Sequence, residues 1–196
     1  MYEVEKKELV AICKLLYDRN LVTASDGNIS VRINDAHLLI TPSGKNKGFL
    51  EPEEIIVIDM EGNVVEGKGK ASREYPMHRT IYTERSDVNA VVHTHPVYAT
   101  AFAMTGQNIP DHYLIESRVA LGKTGLAAYA PAGSAQLAKN IRPFVKDCNA
   151  VLLMNHGAIT YGENLMSAYN KMEVLETVAK TIIVSKNIGT PVPIPD

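Results

Sequence analysis

The chain has 196 residues, 45% of them hydrophobic and 21% charged, a balance that fits one globular domain with a sizeable core and excludes a disordered chain. Its formal net charge of −2 removes the electrostatic case for nucleic acid or an anionic membrane as a partner. No apolar run is long enough to cross a bilayer, and Met1-Tyr2-Glu3-Val4-Glu5 is too acidic for a signal peptide, so a cytoplasmic location is the expectation.

Residues 4–20 carry apolar side chains at three- and four-residue steps among Glu and Lys, which predicts an amphipathic helix. Thr23-Ala24-Ser25-Asp26-Gly27-Asn28 is a polar turn into residues 29–33, whose alternation predicts a half-buried strand. Residues 37–40 form its expected hairpin partner and run into a second turn, Thr41-Pro42-Ser43-Gly44, so the two turns are expected to be neighbours. Residues 55–59 and 63–66 read as another hairpin across Glu61-Gly62. Helical spacing then spans residues 74–84, with Ser72 as the expected N-cap, Pro76 in the first turn and Glu74 near the start.

Val88, Ala90, Val91 and Val92 lead into His93-Thr94-His95-Pro96, a buried strand stopped by proline. Side chains alternate along a strand, so His93 and His95 face one way and can grip one metal ion. The bland alternative, two imidazoles bonding to backbone or water at a strand end, stands beside it.

Residues 97–104 predict a short apolar helix ended by Gly106, and residues 113–121 a strand. Gly133-Ser134 should cap a helix reaching Lys146 despite Pro143. Residues 150–154 predict a buried strand ending at Asn155-His156-Gly157, and residues 164–186 a long helix. One domain over residues 1–190 and an extended proline-rich tail over 191–196 complete the expected organisation. Cys13 and Cys148 lie far apart without a CxxC, so any metal would be held by His and carboxylate.

Three histidines at the ends of two buried strands, with a carboxylate at a nearby helix start, make up the donor set of a catalytic zinc centre. The segments Ser72-Arg73-Glu74, His93-Thr94-His95-Pro96 and Asn155-His156-Gly157, with Asp26-Gly27-Asn28-Ile29-Ser30-Val31-Arg32 and Ile40-Thr41-Pro42-Ser43-Gly44, resemble the class II aldolase and adducin-like family over nearly the whole chain. The resemblance implies a three-layer α/β/α fold with a mainly antiparallel central sheet, a homotetramer, and one Zn2+ per subunit held by His93, His95, His156 and Glu74. It further implies reversible cleavage of a ketose 1-phosphate into dihydroxyacetone phosphate and an aldehyde, with Glu74 moving the substrate proton and Tyr113 serving as acid. Ser25, Gly27, Asn28, Ser43, Gly44, Ser72 and Arg73 correspond to phosphate-contacting loops, although by themselves such loops are only turn signals.

The same metal chemistry leaves a methylthioribulose-1-phosphate dehydratase or aldolase and a sugar-acid phosphate decarboxylase open. The ribulose-phosphate 4-epimerase branch carries Asp where Glu74 stands, and the non-catalytic adducin-like modules lack the metal-site residues. Two departures from the aldolase pattern are Arg73, in place of a second serine, and Asp26, in place of a small residue. Arg73 is expected to reach the phosphate or to pair with Asp26, with an inert solvated pair as the alternative. Among the remaining histidines, His78 is expected at the surface, with support of the site as the lesser possibility. His37 is expected to be exposed, and His112 either faces the aldehyde subsite or plays no part.

Overall fold

In the computed structural model, which describes residues 1–195, the strands are β1 (Asn28–Arg32), β2 (His37–Ile40), β3 (Ile56–Asp59), β4 (Val64–Glu66), β5 (Ala90–Thr94), β6 (Thr124–Ala127), β7 (Ala150–Leu153) and β8 (Gly157–Gly162). The helices are α1 (Glu3–Asp18), α2 (Tyr75–Glu84), α3 (Val97–Met104), α4 (Ala135–Val145) and α5 (Leu165–Ile188). All eight strands join one sheet in the order β4-β3-β2-β1-β5-β8-β7-β6, antiparallel throughout except for β6 beside β7. Alternate residues of the central strands feed two cores. Ile29, Val92 and Leu152 pack under α1, α3 and α5, while Val91, Val151 and Ile159 pack under α2 and α4. The result is the expected three-layer α/β/α arrangement.

Local chemistry fixes the helix ends. Asn20 adopts a left-handed φ of 57° after α1, and the Asn20 and Leu21 amides donate back to Tyr17 and Leu16, a Schellman closure with buried Leu21 as its apolar partner. Ser134 Oγ accepts from the Leu137 amide at the start of α4, and Asn164 Oδ1 accepts from the Ser167 amide at the start of α5. No residue of its own segment caps α3, which follows His95-Pro96 directly. Instead Glu176, from the middle of α5, accepts from the Tyr98 amide at 3.0 and 3.1 Å and from the Ala99 amide at 2.8 Å. A carboxylate at that end also complements the helix dipole.

Several expectations need correction. Residues 113–121 are not a strand: Ser117–Leu121 form a π-helical turn, with Ile115 and Val119 facing outward at 62% and 80% exposure. The place beside β7 is taken by β6, whose four residues include a glycine and are too short to show a period. The reading also passed over β8, which begins and ends in glycine. Helix α2 starts at Tyr75, so Glu74 rather than Ser72 stands at the N-cap position, with Pro76 in the first turn where no N–H is needed. Ser72 instead accepts on its carbonyl from the Tyr75 amide and on Oγ from the Glu74 amide. His37 is half-buried, its Nδ1 2.8 Å from the Tyr2 hydroxyl. Strand β1 is covered on both faces, so its polar residues Asn28 and Ser30 are buried, at 4% and 0% exposure.

Because, among the described residues, Glu176 is the side chain that satisfies the first amides of α3, Glu176→Ala should lower unfolding free energy by about 1–2 kcal/mol. Urea denaturation should show this as a lower midpoint at unchanged m-value.

Candidate metal centre and adjoining cavity

Strand register assembles the centre. Asn28 of β1 lies opposite His93 of β5, and Ile159 of β8 lies opposite His93 on its other side. His93 is therefore held between two neighbours, completely buried, on the face that α2 covers. His95 follows two residues on, just past the strand end, and His156 comes from the β7–β8 turn. Asn155 enters that turn with a φ of 56°, a conformation asparagine tolerates. Gly157 follows for want of room: a Cβ there would lie 2.5 Å from the Thr94 carbonyl oxygen and 2.6 Å from His95 Cδ2. Glu74 arrives from the head of α2.

The four groups converge. The Nε2 atoms of His93 and His95 are 3.2 Å apart, and one ligand atom from each of the three histidines lies within 4.8 Å of the others. Glu74 Oε2 is 3.2 Å from His93 Nε2, and Oε1 is 3.4 Å from His156 Nε2. His93 Nδ1 donates to the Ala158 carbonyl at 2.9 Å, and His95 Nδ1 faces the Asp26 carboxylate at 3.3 Å. Those contacts put the ring protons on Nδ1 and leave both Nε2 atoms as bare lone pairs directed at each other. Such a contact is unfavourable without a cation between the nitrogens. Among the described residues Glu74 Oε1 is buried with no hydrogen-bond donor, a second acceptor left open. Three imidazole nitrogens and one carboxylate oxygen thus fit a divalent cation, with Nε2 as the ligating atom of His93 and His95.

Electrostatics agree with that donor set. Burial pushes the Glu74 carboxyl up, while positive charge on the adjacent His93 and His156 rings and the Asn28 amide holds it well below the usual carboxylate range; with the rings neutral as ligands, a bound cation would supply that positive charge. Burial and the nearby His93 push His156 down to about 4 against the opposing pull of Glu74, so its ring is neutral, as a metal ligand must be.

Beside the centre lies a cavity of about 260 Å3. Ser25, Gly27 and Asn28 line it from the first turn, Ser43 and Gly44 from the second, and Ser72, Arg73 and Glu74 from the head of α2, together with His95 and His156. The expectation that the two turns are neighbours holds. Gly27 has a φ of 69°, and a Cβ on it would stand 2.7 Å from the His93 carbonyl, so only glycine lets this loop lie against β5. The Ser43 amide donates to the Lys70 carbonyl, joining the second turn to the segment before Ser72.

Three residues escaped the sequence reading or were misread. Lys47 is 1% exposed, and its ammonium donates to the Ser25 and Lys45 carbonyls, clamping one loop to the other. A lysine among glycines gives no periodic signal of burial. Asp26 does not pair with Arg73: among the described residues its carboxylate meets His95 and the Thr23 amide, because the tight turn at Gly27 aims it inward. Arg73 is exposed on the cavity rim. His78, expected at the surface, is completely buried, because β1 carries polar partners for it on the face that α2 covers.

Tyr113 is not brought to this cavity within one chain. It packs, half-buried, against the core under α1, α3 and α5, its ring 4.2 Å from that of His112. His112 also lies away from the cavity, its carbonyl accepting from the Ile194 amide at 2.8 Å.

The pattern of the Class II Aldolase and Adducin N-terminal domain family matches residues 7–183. An L-fuculose phosphate aldolase of Methanococcus maripaludis is 39% identical over 179 residues, covering 91% of this chain and 96% of its own length. A 3-oxo-tetronate 4-phosphate decarboxylase of Haemophilus influenzae is 33% identical over 186 residues, covering 92% and 88% respectively. A solved structure of an L-fuculose 1-phosphate aldolase superposes with a TM-score of 0.89 at 38% identity, covering 97% of this chain and 90% of that one.

Two measurements test the centre. His78 and His156 are held at about 3 and about 4, below their ordinary 6.5, so the unfolded chain takes up their protons first. Metal-free protein should therefore be most stable above pH 6.5 and lose stability as pH falls toward 4, by up to about 1.4 kcal/mol per pH unit per histidine in urea titrations. Gly157→Ala should cost about 1–3 kcal/mol and weaken Co2+ binding followed by absorption, since the new methyl displaces His95.

Proposed function

This chain belongs to the Class II Aldolase and Adducin N-terminal domain family, and on that premise we propose that it is a zinc-dependent aldolase acting on a ketose 1-phosphate of the L-fuculose 1-phosphate type. Its products are dihydroxyacetone phosphate and an aldehyde of the lactaldehyde type. One observation carries the reading: three imidazoles and Glu74 converge beside a cavity walled by two small-residue loops. The H. influenzae relative makes decarboxylation of a sugar-acid phosphate the second reading.

His93, His95 and His156 would hold one zinc ion per subunit, with Glu74 as fourth ligand at rest. When bound, the ion supplies Lewis acidity for negative charge growing on the substrate carbonyl oxygen. The chain's own residues do the rest. Backbone amides and hydroxyls of Ser25, Gly27, Asn28, Ser43, Gly44 and Ser72 receive the phosphate, with Arg73 at the rim. In the condensing direction Glu74 removes a proton from the carbon beside the carbonyl of dihydroxyacetone phosphate. Tyr113 supplies a proton to the aldehyde oxygen as the carbon–carbon bond forms. Cleavage runs the same transfers backwards.

Since Tyr113 misses the cavity of its own chain, it would serve the cavity of another copy, which accords with the proposed homotetramer. The exposed apolar residues Ile115 and Val119 beside it are the kind of surface a second copy covers. Among the described residues no helix is long and apolar enough to cross a membrane, which accords with a small phosphorylated sugar in the cytoplasm as substrate.

Incubation with dihydroxyacetone phosphate and a panel of aldehydes should give ketose phosphates, abolished by chelator and restored by Zn2+. Carbon dioxide release from a 3-oxo sugar-acid phosphate without aldol product would favour the second reading. Glu74→Gln should lower kcat by about 10²–10⁴-fold. Arg73→Ser should raise KM for the phosphorylated substrate about two- to fivefold, and an unchanged KM would dismiss its role as a phosphate ligand.

A further inference from the structure

A buried line of hydrogen bonds leads from Glu74 into the core between β1 and α2. Asn28 Nδ2 donates to Glu74 Oε2 at 2.7 Å, and Asn28 Oδ1 lies 2.5 Å from His78 Nε2. His78 Nδ1 is 2.7 Å from Ser30 Oγ, which is in turn 2.7 Å from the Tyr82 hydroxyl. None of Asn28, Ser30, His78 and Tyr82 exceeds 4% exposure, so water does not compete for these contacts.

The direction of every proton in the line follows from its outer end. An ionised carboxylate only accepts, so Asn28 must turn its NH2 to Glu74 and its carbonyl to His78. His78 must then carry its proton on Nε2 and accept on Nδ1 from Ser30, whose oxygen accepts from Tyr82. Burial keeps Tyr82 a protonated phenol and His78 a neutral ring, the states this order needs. If the Asn28 amide turned over, its carbonyl oxygen would meet the Glu74 carboxylate at 2.7 Å, acceptor against acceptor.

We propose that His78 is a positioning residue: its Nε2–H locks the Asn28 amide so that Nδ2–H holds Glu74 Oε2 and leaves Oε1 as the oxygen that works. This rests on Glu74 as the proton-moving group in the function proposed above. Here the tautomer is tied to which side of Asn28 the catalytic carboxylate meets, and Ser30, whose hydroxyl can donate to Nδ1, completes the line from behind.

Nitrogen-15 histidine spectra of the metal-free wild-type protein should show His78 neutral with its proton on Nε2 between pH 5 and 8. A proton on Nδ1, or a charged ring, overturns the proposal. In zinc-loaded enzyme, His78→Leu should lower kcat about 10- to 100-fold, with KM changed less than about threefold and zinc content unchanged. His78→Gln, which keeps a donor toward Asn28, should recover most of the loss. Wild-type kcat in folded His78→Leu, or equal loss in both variants in step with loss of zinc, refutes it. Should His78→Leu fail to fold, Ser30→Ala removes only the donor to Nδ1. With the Nδ1 donor gone and the ring less firmly held, it should give about a threefold lower kcat, and an unaltered rate would refute the idea. A wild-type enzyme inactive on every sugar phosphate tried would sink the proposed function, while the tautomer measurement would still decide this one.

Discussion

Glu74 and three imidazoles share one small volume at the end of β5, and the structure around them is arranged to make their burial tolerable. A carboxylate removed from water is costly unless donors or a cation replace its hydration. Asn28 supplies one donor, and the Ala158 carbonyl and Asp26 orient His93 and His95 so that their lone pairs point inward. The register of β1 against β5, with Asn28 opposite His93, is what puts the amide within reach of the carboxylate. A slip of one residue would turn Asn28 to the opposite face of the sheet.

The cavity beside the centre shows a division of labour between backbone and side chain. Gly27 permits the loop to lie against β5, and the adjacent Asp26 is thereby turned back onto His95. One short turn thus shapes the cavity and orients a metal-facing ring. Lys47 holds that turn to its neighbour through two carbonyls, so the loops move together if they move at all. A buried ammonium next to the cavity also adds positive charge where the proposed phosphate would sit.

Helix α2 joins the two halves of the problem. Its N-cap residue is Glu74, His78 points inward one turn on, and Tyr82 lies one turn beyond, a spacing of four residues that stacks side chains on one face of a helix. The same face contributes Met77 and Ile81 to the core. Polar and apolar groups therefore alternate beneath α2, and the polar ones are satisfied by one another through Asn28 and Ser30 of β1. That arrangement makes the support for Glu74 as rigid as the core itself.

Local pattern in the sequence determined a good deal of this. The period of 3.6 marked α1 and α5, the apolar run into HxH marked β5 and placed His93 and His95 on one side, and the motif resemblance pointed to the family and the three-layer fold. Glycine turns at 27 and 44 were legible because backbone constraints are local. What stayed hidden depends on neighbours that the chain supplies from far away. β6 is short and contains a glycine, and β8 is bounded by glycines and follows His156 directly, so only pairing to β7 and β5 defines them. Asn28 read as the end of a polar turn and Ser30 as the solvent side of a half-buried strand, since alternation cannot tell water from a helix that brings its own hydrogen-bond partners. His78 read as a surface residue for the same reason, and Tyr113 lies off the cavity because nothing local says where a loop will pack. Sequence set the chemistry that could be present, and tertiary packing decided which polar groups meet, because burial and hydrogen-bond satisfaction are properties of pairs brought together only by the fold.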